Sequence, residues 1–165
     1  KHVANGMTEN HFAPNGRTTR AEFTSMLVRA LQLQENTQET PFGDVKEGSW
    51  YAASVRTAYQ AGLIEGVSAT AFMPDAIITR EQMAVLLIKA YEYKLGASAP
   101  AGSLQSIKND VLKVSDWADT AVGKALDSGL MQGIGNGQFD PQGSASRAQT
   151  VQAIYNLLQV LEAKQ

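Results

Sequence analysis

Three times along the chain a Phe-x-Pro turn is followed, eight residues after its Phe, by an arginine inside a hydroxyl-Arg-x-Glu/Gln signature. Phe12-Ala13-Pro14 leads to Thr19-Arg20-Ala21-Glu22, Phe72-Met73-Pro74 to Thr79-Arg80-Glu81-Gln82, and Phe139-Asp140-Pro141 to Ser146-Arg147-Ala148-Gln149. Upstream, Trp50 stands 22 positions before Phe72 and Trp117 stands 22 before Phe139, with Gly62, Leu63 and Gly66 answering to Gly129, Leu130 and Gly133. Units this small cannot bury their apolar faces alone, so they must complete one another's core. The copies begin 60 and then 67 residues apart, and the surplus falls in the small-residue, Pro-bearing stretch 96–103. That stretch and the polar 35–40 read as linkers, which leaves units at 1–34, 41–95 and 104–165. Residues 1–6 align with 61–66, so the first unit lacks a counterpart of 42–60, its first helix. The expectation is that this segment was cut away or is supplied by a second chain or peptide, since an apolar face would otherwise lie open.

Each full unit reads as helix, turn-rich loop, helix. Trp50, Val55, Ala58, Tyr59, Gly62 and Leu63 recur mostly at three- and four-residue steps, and Trp117, Val122, Ala125, Leu126, Gly129 and Leu130 repeat them. The second helices carry Phe23, Met26, Leu27, Ala30 and Leu31; Met83, Leu86, Leu87, Ala90 and Tyr91; and Ala153, Ile154, Leu157 and Leu158. Gly62 and Gly129 suit helix C-termini, where a left-handed residue closes the last turn. The predicted fold is all-α: three helix-loop-helix repeats, one truncated, around a shared helical bundle with pseudo-threefold arrangement.

The start of each second helix carries the chemistry. Thr19 with Glu22, Thr79 with Gln82 and Ser146 with Gln149 fit the capping box, in which a hydroxyl caps one amide and the N3 side chain reaches back. Capping leaves the arginine unexplained, because a cation in the first turn meets the positive end of the helix dipole, at a cost of about 0.3–1 kcal/mol. Two readings account for it. Arg20, Arg80 and Arg147 grip an anionic ligand together with the helix-start amides, or they form structural ion pairs. Trp50 and Trp117 also have two readings, as core anchors heading an apolar stripe or as ring edges lining a ligand groove. Gly66 and Gly133, with Gly6 in the first copy, read as backbone requirements of a tight loop or as openings that admit a ligand. Phe12, Phe72 and Phe139 read as packing residues.

Composition narrows the function classes. A formal net charge of -2 supplies no field to hold nucleic acid or an anionic membrane surface, so any anion is caught locally. The absence of cysteine excludes thiolate chemistry and disulfides. No apolar run reaches the length of a membrane span and the N-terminus shows no signal pattern. His2 and His11 have no clustered ligands, so no metal or cofactor is expected. There is no HExxH, Gly-rich phosphate loop or GxSxG, and Asp44, Asp75, Asp116, Asp119 and Asp140 sit where caps and turns favour Asp. An enzyme is not expected.

Phe-x-Pro, Gly-Leu-x-x-Gly, Trp near a helix start and Thr-Arg-Ala-Glu, repeated about every 60 residues, resemble the S-layer homology family over nearly the whole chain. The resemblance implies a secreted, three-pronged, non-catalytic module at a Gram-positive surface. Its inter-repeat grooves would hold a secondary cell-wall polysaccharide, commonly one bearing ketal-linked pyruvate on N-acetylmannosamine. Carried over by position, Arg20, Arg80 and Arg147 match the signature arginine. Phe42, Asp44, Val45 and Trp50 match the family's Phe-x-Asp-Val run, which is looser around Ile107, Asp110 and Trp117. Trp117, Gly66 and Gly133 complete the candidate carbohydrate-binding set. Arg80 and Arg147 belong to complete copies, whereas Arg20 depends on the missing helix. The competing reading is a protein-assembly module joining subunits of a surface lattice.

Overall fold

The computed structural model describes residues 16–164. The turn at Phe12 and Pro14, Gly6, His2 and His11 lie outside them. Among the described residues five α-helices and no extended strand are present: α1 (Arg20–Ala30), α2 (Ala52–Gln60), α3 (Arg80–Leu95), α4 (Asp119–Asp127) and α5 (Arg147–Ala163), with 3-10 turns at Gln105–Ile107, Val111–Lys113 and Asp116–Ala118. The all-α expectation holds, with α1, α3 and α5 as the three second helices.

The helices pair across repeats. α2 packs on α1 of the preceding repeat and α4 on α3, while α5 contacts both α1 and α3. The apolar stripes meet in one core, in which Phe23, Leu27, Leu63, Phe72, Leu87, Leu130, Phe139 and Leu157 are fully buried. Gly62 and Gly129 close α2 and α4 at φ 76° and 79°, where a side chain would be strained. The described residues hold no counterpart of α2 or α4 over α5. There Tyr155 is 56 % exposed, whereas Ile88, eight residues past its helix-start arginine like Tyr155, is 4 % exposed on α3.

Closure is made by backbone. Thr18, Ile78 and Ala145 each lie two residues before a helix-start arginine and bond in a cycle: Thr18 N–H to Ala145 O (3.2 Å), Ala145 N–H to Ile78 O (3.2 Å) and Ile78 N–H to Thr18 O (2.9 Å). These extended tripeptides cannot satisfy their amides within their own repeat, so they satisfy them in the neighbour's.

One expectation is corrected. Trp50 and Trp117 are not core anchors, being 65 % and 61 % exposed, while the next residues, Tyr51 and Ala118, are buried. The helices start at Ala52 and Asp119. Each Trp therefore sits in the turn ahead, where the helical step used to place it on the stripe does not apply. The segment 96–103 forms no helix and is fastened down. Ala99 is buried and its N–H donates to Glu92 Oε2 (2.7 Å), which also takes Lys124 Nζ (2.9 Å). Burial would raise the Glu92 carboxyl, but the Lys124 ammonium and the Ala99 amide outweigh it and hold it below its ordinary value. Gly102 lies on the backbone of Gly123 in α4, and a Cβ there would collide with the Gly123 carbonyl. Gly102→Ala is therefore expected to cost about 1–3 kcal/mol by overpacking, measured by urea unfolding. A loss under about 0.5 kcal/mol would show that the segment slides aside freely.

Candidate functional site

All three capping boxes form. Thr19 Oγ1 accepts from Glu22 N (3.1 Å) and Glu22 Oε1 from Thr19 N (2.8 Å); Thr79 and Gln82 exchange the same bonds at 3.2 and 2.9 Å, and Ser146 and Gln149 at 3.1 and 3.0 Å. At α1 and α3 the two amides ahead of N3 are also occupied, and at α5 the first of them is. Arg20 N–H donates to Ala76 O (2.8 Å) and Ala21 N–H to Pro74 O (3.0 Å), Arg80 N–H to Gly143 O (2.9 Å) and Glu81 N–H to Pro141 O (2.9 Å), and Arg147 N–H to Gly16 O (2.7 Å). This corrects the picture of helix-start amides converging with the guanidinium on an anion. Those five amides bind the loop of the next repeat, so at α1 and α3 only side chains remain for a ligand.

The arginines sit on those same loops. Arg20 lies over the Phe72 ring (4.7 Å to its centroid) and donates from Nε to Phe72 O (2.8 Å) and from Nη2 to Glu65 O (3.3 Å). Arg80 repeats this one seam further, over Phe139 (4.6 Å), with bonds to Phe139 O (2.7 Å) and Gln132 O (2.8 Å). Burial pulls both guanidinium groups below their ordinary value, opposed by the charges of Asp44 and Asp140 respectively, and both stay charged because arginine starts so high. Arg147 differs: its Nη2 donates to Glu22 Oε2 at 2.9 Å in an ion pair with both side chains more than nine-tenths buried.

Two clefts result. The first, about 480 Å³, is walled by Arg20 of the first repeat, Glu65, Gly66, Gln82 and Lys89 of the second, and Trp117 of the third. The second, about 770 Å³, is walled by Arg80 of the second repeat and Gly133, Gln149, Gln152 and Asn156 of the third. The structure thus brings Arg20, Gly66, Gln82 and Trp117 together, and Arg80, Gly133 and Gln149. It leaves Arg147 and Trp50 apart from both, with Trp50 edge-on to Tyr51 (5.3 Å). In the first cleft Lys89 Nζ meets Glu65 Oε2 at 3.1 Å, an exposed and therefore weak pair that a ligand can displace. A cleft of this kind offers charged donors, amides and one aromatic face, which suits an oxygen-rich ligand with a ring to stack. Among the described residues no three metal-ligating side chains cluster, and no helix is long and apolar enough to cross a membrane.

The remaining candidates hold loops. Asp44 accepts from Phe72 N (2.9 Å) and Met73 N (2.8 Å), fixing the Phe-x-Pro turn under Arg20. Its equivalent is Asp110, whose Oδ2 takes Phe139 N (2.6 Å) and Asp140 N (2.7 Å); those two amides, with help from Lys113, hold its carboxyl below the usual range against the cost of burial. A Cβ on Gly66 would collide with the Ser68 and Ala71 carbonyls and the Phe42 ring, and one on Gly133 would meet Gln138 O at 2.7 Å, so both glycines are backbone requirements. Sequence reasoning did not single out Lys89 and Glu65. It also missed buried Glu81, which binds the Ser115 amide (2.9 Å) and hydroxyl (2.7 Å) across a seam.

The S-layer homology domain profile matches residues 1–24, 41–84 and 109–151, most of the chain. Amylopullulanase from Thermoanaerobacterium thermosulfurigenes is 38 % identical over 159 residues, which are 96 % of this chain and 8 % of that protein. The cellulosome-anchoring protein of Acetivibrio thermocellus is 32 % identical over 152 residues, 90 % of this chain and 33 % of that one. The surface-layer 125 kDa protein of Lysinibacillus sphaericus is 31 % identical over 131 residues, 79 % and 10 %. The chain therefore spans a third or less of the length of these relatives. With three matched repeats, their capping boxes formed and their seams closed in one bundle, the chain belongs to the S-layer homology domain family.

Proposed function

We propose that this chain is a non-catalytic anchor that holds a larger surface protein on an acidic cell-wall polysaccharide, with its two inter-repeat clefts as the grips. The observation that carries the reading is the first cleft, where Arg20, Lys89, Gln82 and Trp117 from three repeats face one space. Guanidinium and ammonium suit a carboxylate such as a pyruvate ketal, amides suit hydroxyl and acetamido groups, and an exposed indole suits the apolar face of a sugar. Two modest clefts on one rigid body raise the local concentration of polymer for one another, so the hold is firm without a covalent bond. Membership of the family, with surface-layer and anchoring proteins among the relatives, supports the wall and the cell surface as the place of action. The activity of the parent protein is carried outside this module.

Co-sedimentation with purified cell walls, before and after chemical removal of their non-peptidoglycan polymer, tests the reading. Binding is expected to fall at least tenfold on removal, and Trp117→Ala, an exposed position whose loss leaves folding intact, is expected to weaken it about three- to tenfold. Sedimentation indifferent to polymer removal would end the anchor reading.

A further inference from the structure

The third residue of each second helix caps the helix in all three repeats, but it is Glu22 in one and Gln82 and Gln149 in the others. The difference is electrostatic. Glu22 spends Oε1 on its cap amide and turns Oε2 onto Arg147 of the third repeat, 2.9 Å away and shut off from water, so that this arginine's charge is cancelled. Gln82 stands in the corresponding place beside Arg20, in the wall of the first cleft, and Gln149 beside Arg80, in the wall of the second. Each spends its Oε1 on the cap amide and brings no charge. Among the described residues neither Arg20 nor Arg80 has a carboxylate within ion-pair distance.

We propose that Gln82 and Gln149 are specificity-determining residues: by withholding a carboxylate from the neighbouring arginine they leave the two clefts cationic and assign anion recognition to them, while Glu22 removes Arg147 from that role. This rests on the anchor reading and says which side chains set its preference for an acidic glycan. A capping box accepts Glu or Gln equally at this position, so the choice between them is free of the folding requirement. A helix start also favours an added carboxylate, which makes Gln→Glu a substitution the fold accepts.

The test compares the unaltered chain, Gln82→Glu/Gln149→Glu and Gln82→Ala/Gln149→Ala in co-sedimentation with native walls and with walls whose carboxyl groups have been reduced to alcohols. The Glu pair is expected to keep or raise the thermal midpoint while losing at least tenfold in affinity for native walls. The Ala pair, which removes the amides and their cap bonds without adding charge, is expected to lose less than the Glu pair, about three- to fivefold, and by the same factor on native and on carboxyl-reduced walls. On carboxyl-reduced walls the unaltered chain and the Glu pair should converge. A Glu pair that binds native walls as the unaltered chain does, or an Ala pair that loses as much as the Glu pair, overturns the proposal while leaving the anchor reading standing. If the unaltered chain binds independently of the wall polymer, the anchor reading falls and this inference with it.

Discussion

Arg147→Met is expected to destabilise the chain by about 3–5 kcal/mol, because it strands a carboxylate where water cannot reach it. Glu22 and Arg147 come from opposite ends of the sequence and meet with side-chain exposures of 6 % and 2 %. Truncating one partner leaves the other with its desolvation cost and no compensation. The double variant Arg147→Met/Glu22→Gln removes both charges and keeps the cap, since Gln serves at this position in the other two repeats. It should recover most of the loss. Urea unfolding of the four members of this cycle measures the coupling, and additive single and double effects would show that the pair contributes nothing beyond packing.

Phe139→Ala should cost a similar amount, about 3–5 kcal/mol, from a ring that is fully buried. Here the loss has a second consequence. The ring is the platform under the Arg80 guanidinium at 4.6 Å, and its own carbonyl takes the Arg80 Nε–H. Removing the side chain opens a cavity beneath the wall of the second cleft. Phe139→Leu fills most of that space and forfeits the cation–π contact, so a loss of about 1–2 kcal/mol is expected instead. Thermal or urea unfolding that ranks the two variants equally would mean that volume at this place is unimportant.

Much of the fold was legible because it is encoded locally and three times over. A hydroxyl, an arginine and a Glu or Gln at fixed spacing specify a helix start through bonds within four residues, and all three starts form as read. The paired stripes around Val55 and Ala58, and Val122 and Ala125, specify which faces are buried. The site was less legible, since its parts are set by contacts between distant residues. Nothing near Arg20 in sequence announces Phe72 O or Ala76 O, 52 and 56 positions away, so the destination of its guanidinium and amide could not be read. Asp110 matches Asp44 only loosely in sequence because it follows Ile107 by three residues where Asp44 follows Phe42 by two, and the 3-10 turn over Gln105–Ile107 leads into that offset. Trp50 and Trp117 are a different case: they precede the helices that start at Ala52 and Asp119, so helical periodicity does not govern them. Among the described residues Arg20 lines a cleft and Arg147 is paired with Glu22, neither of which local sequence announces.

The backbone cycle through Thr18, Ile78 and Ala145 bears on how the bundle yields under load. A linear array of repeats has two ends, and a pull or a thermal fluctuation can peel the outermost repeat at the cost of a single interface. In a ring every repeat has two neighbours, so releasing any one breaks two interfaces at once. Peeling one repeat then costs two seams instead of one, and unfolding under load is expected to be more cooperative than in a linear array.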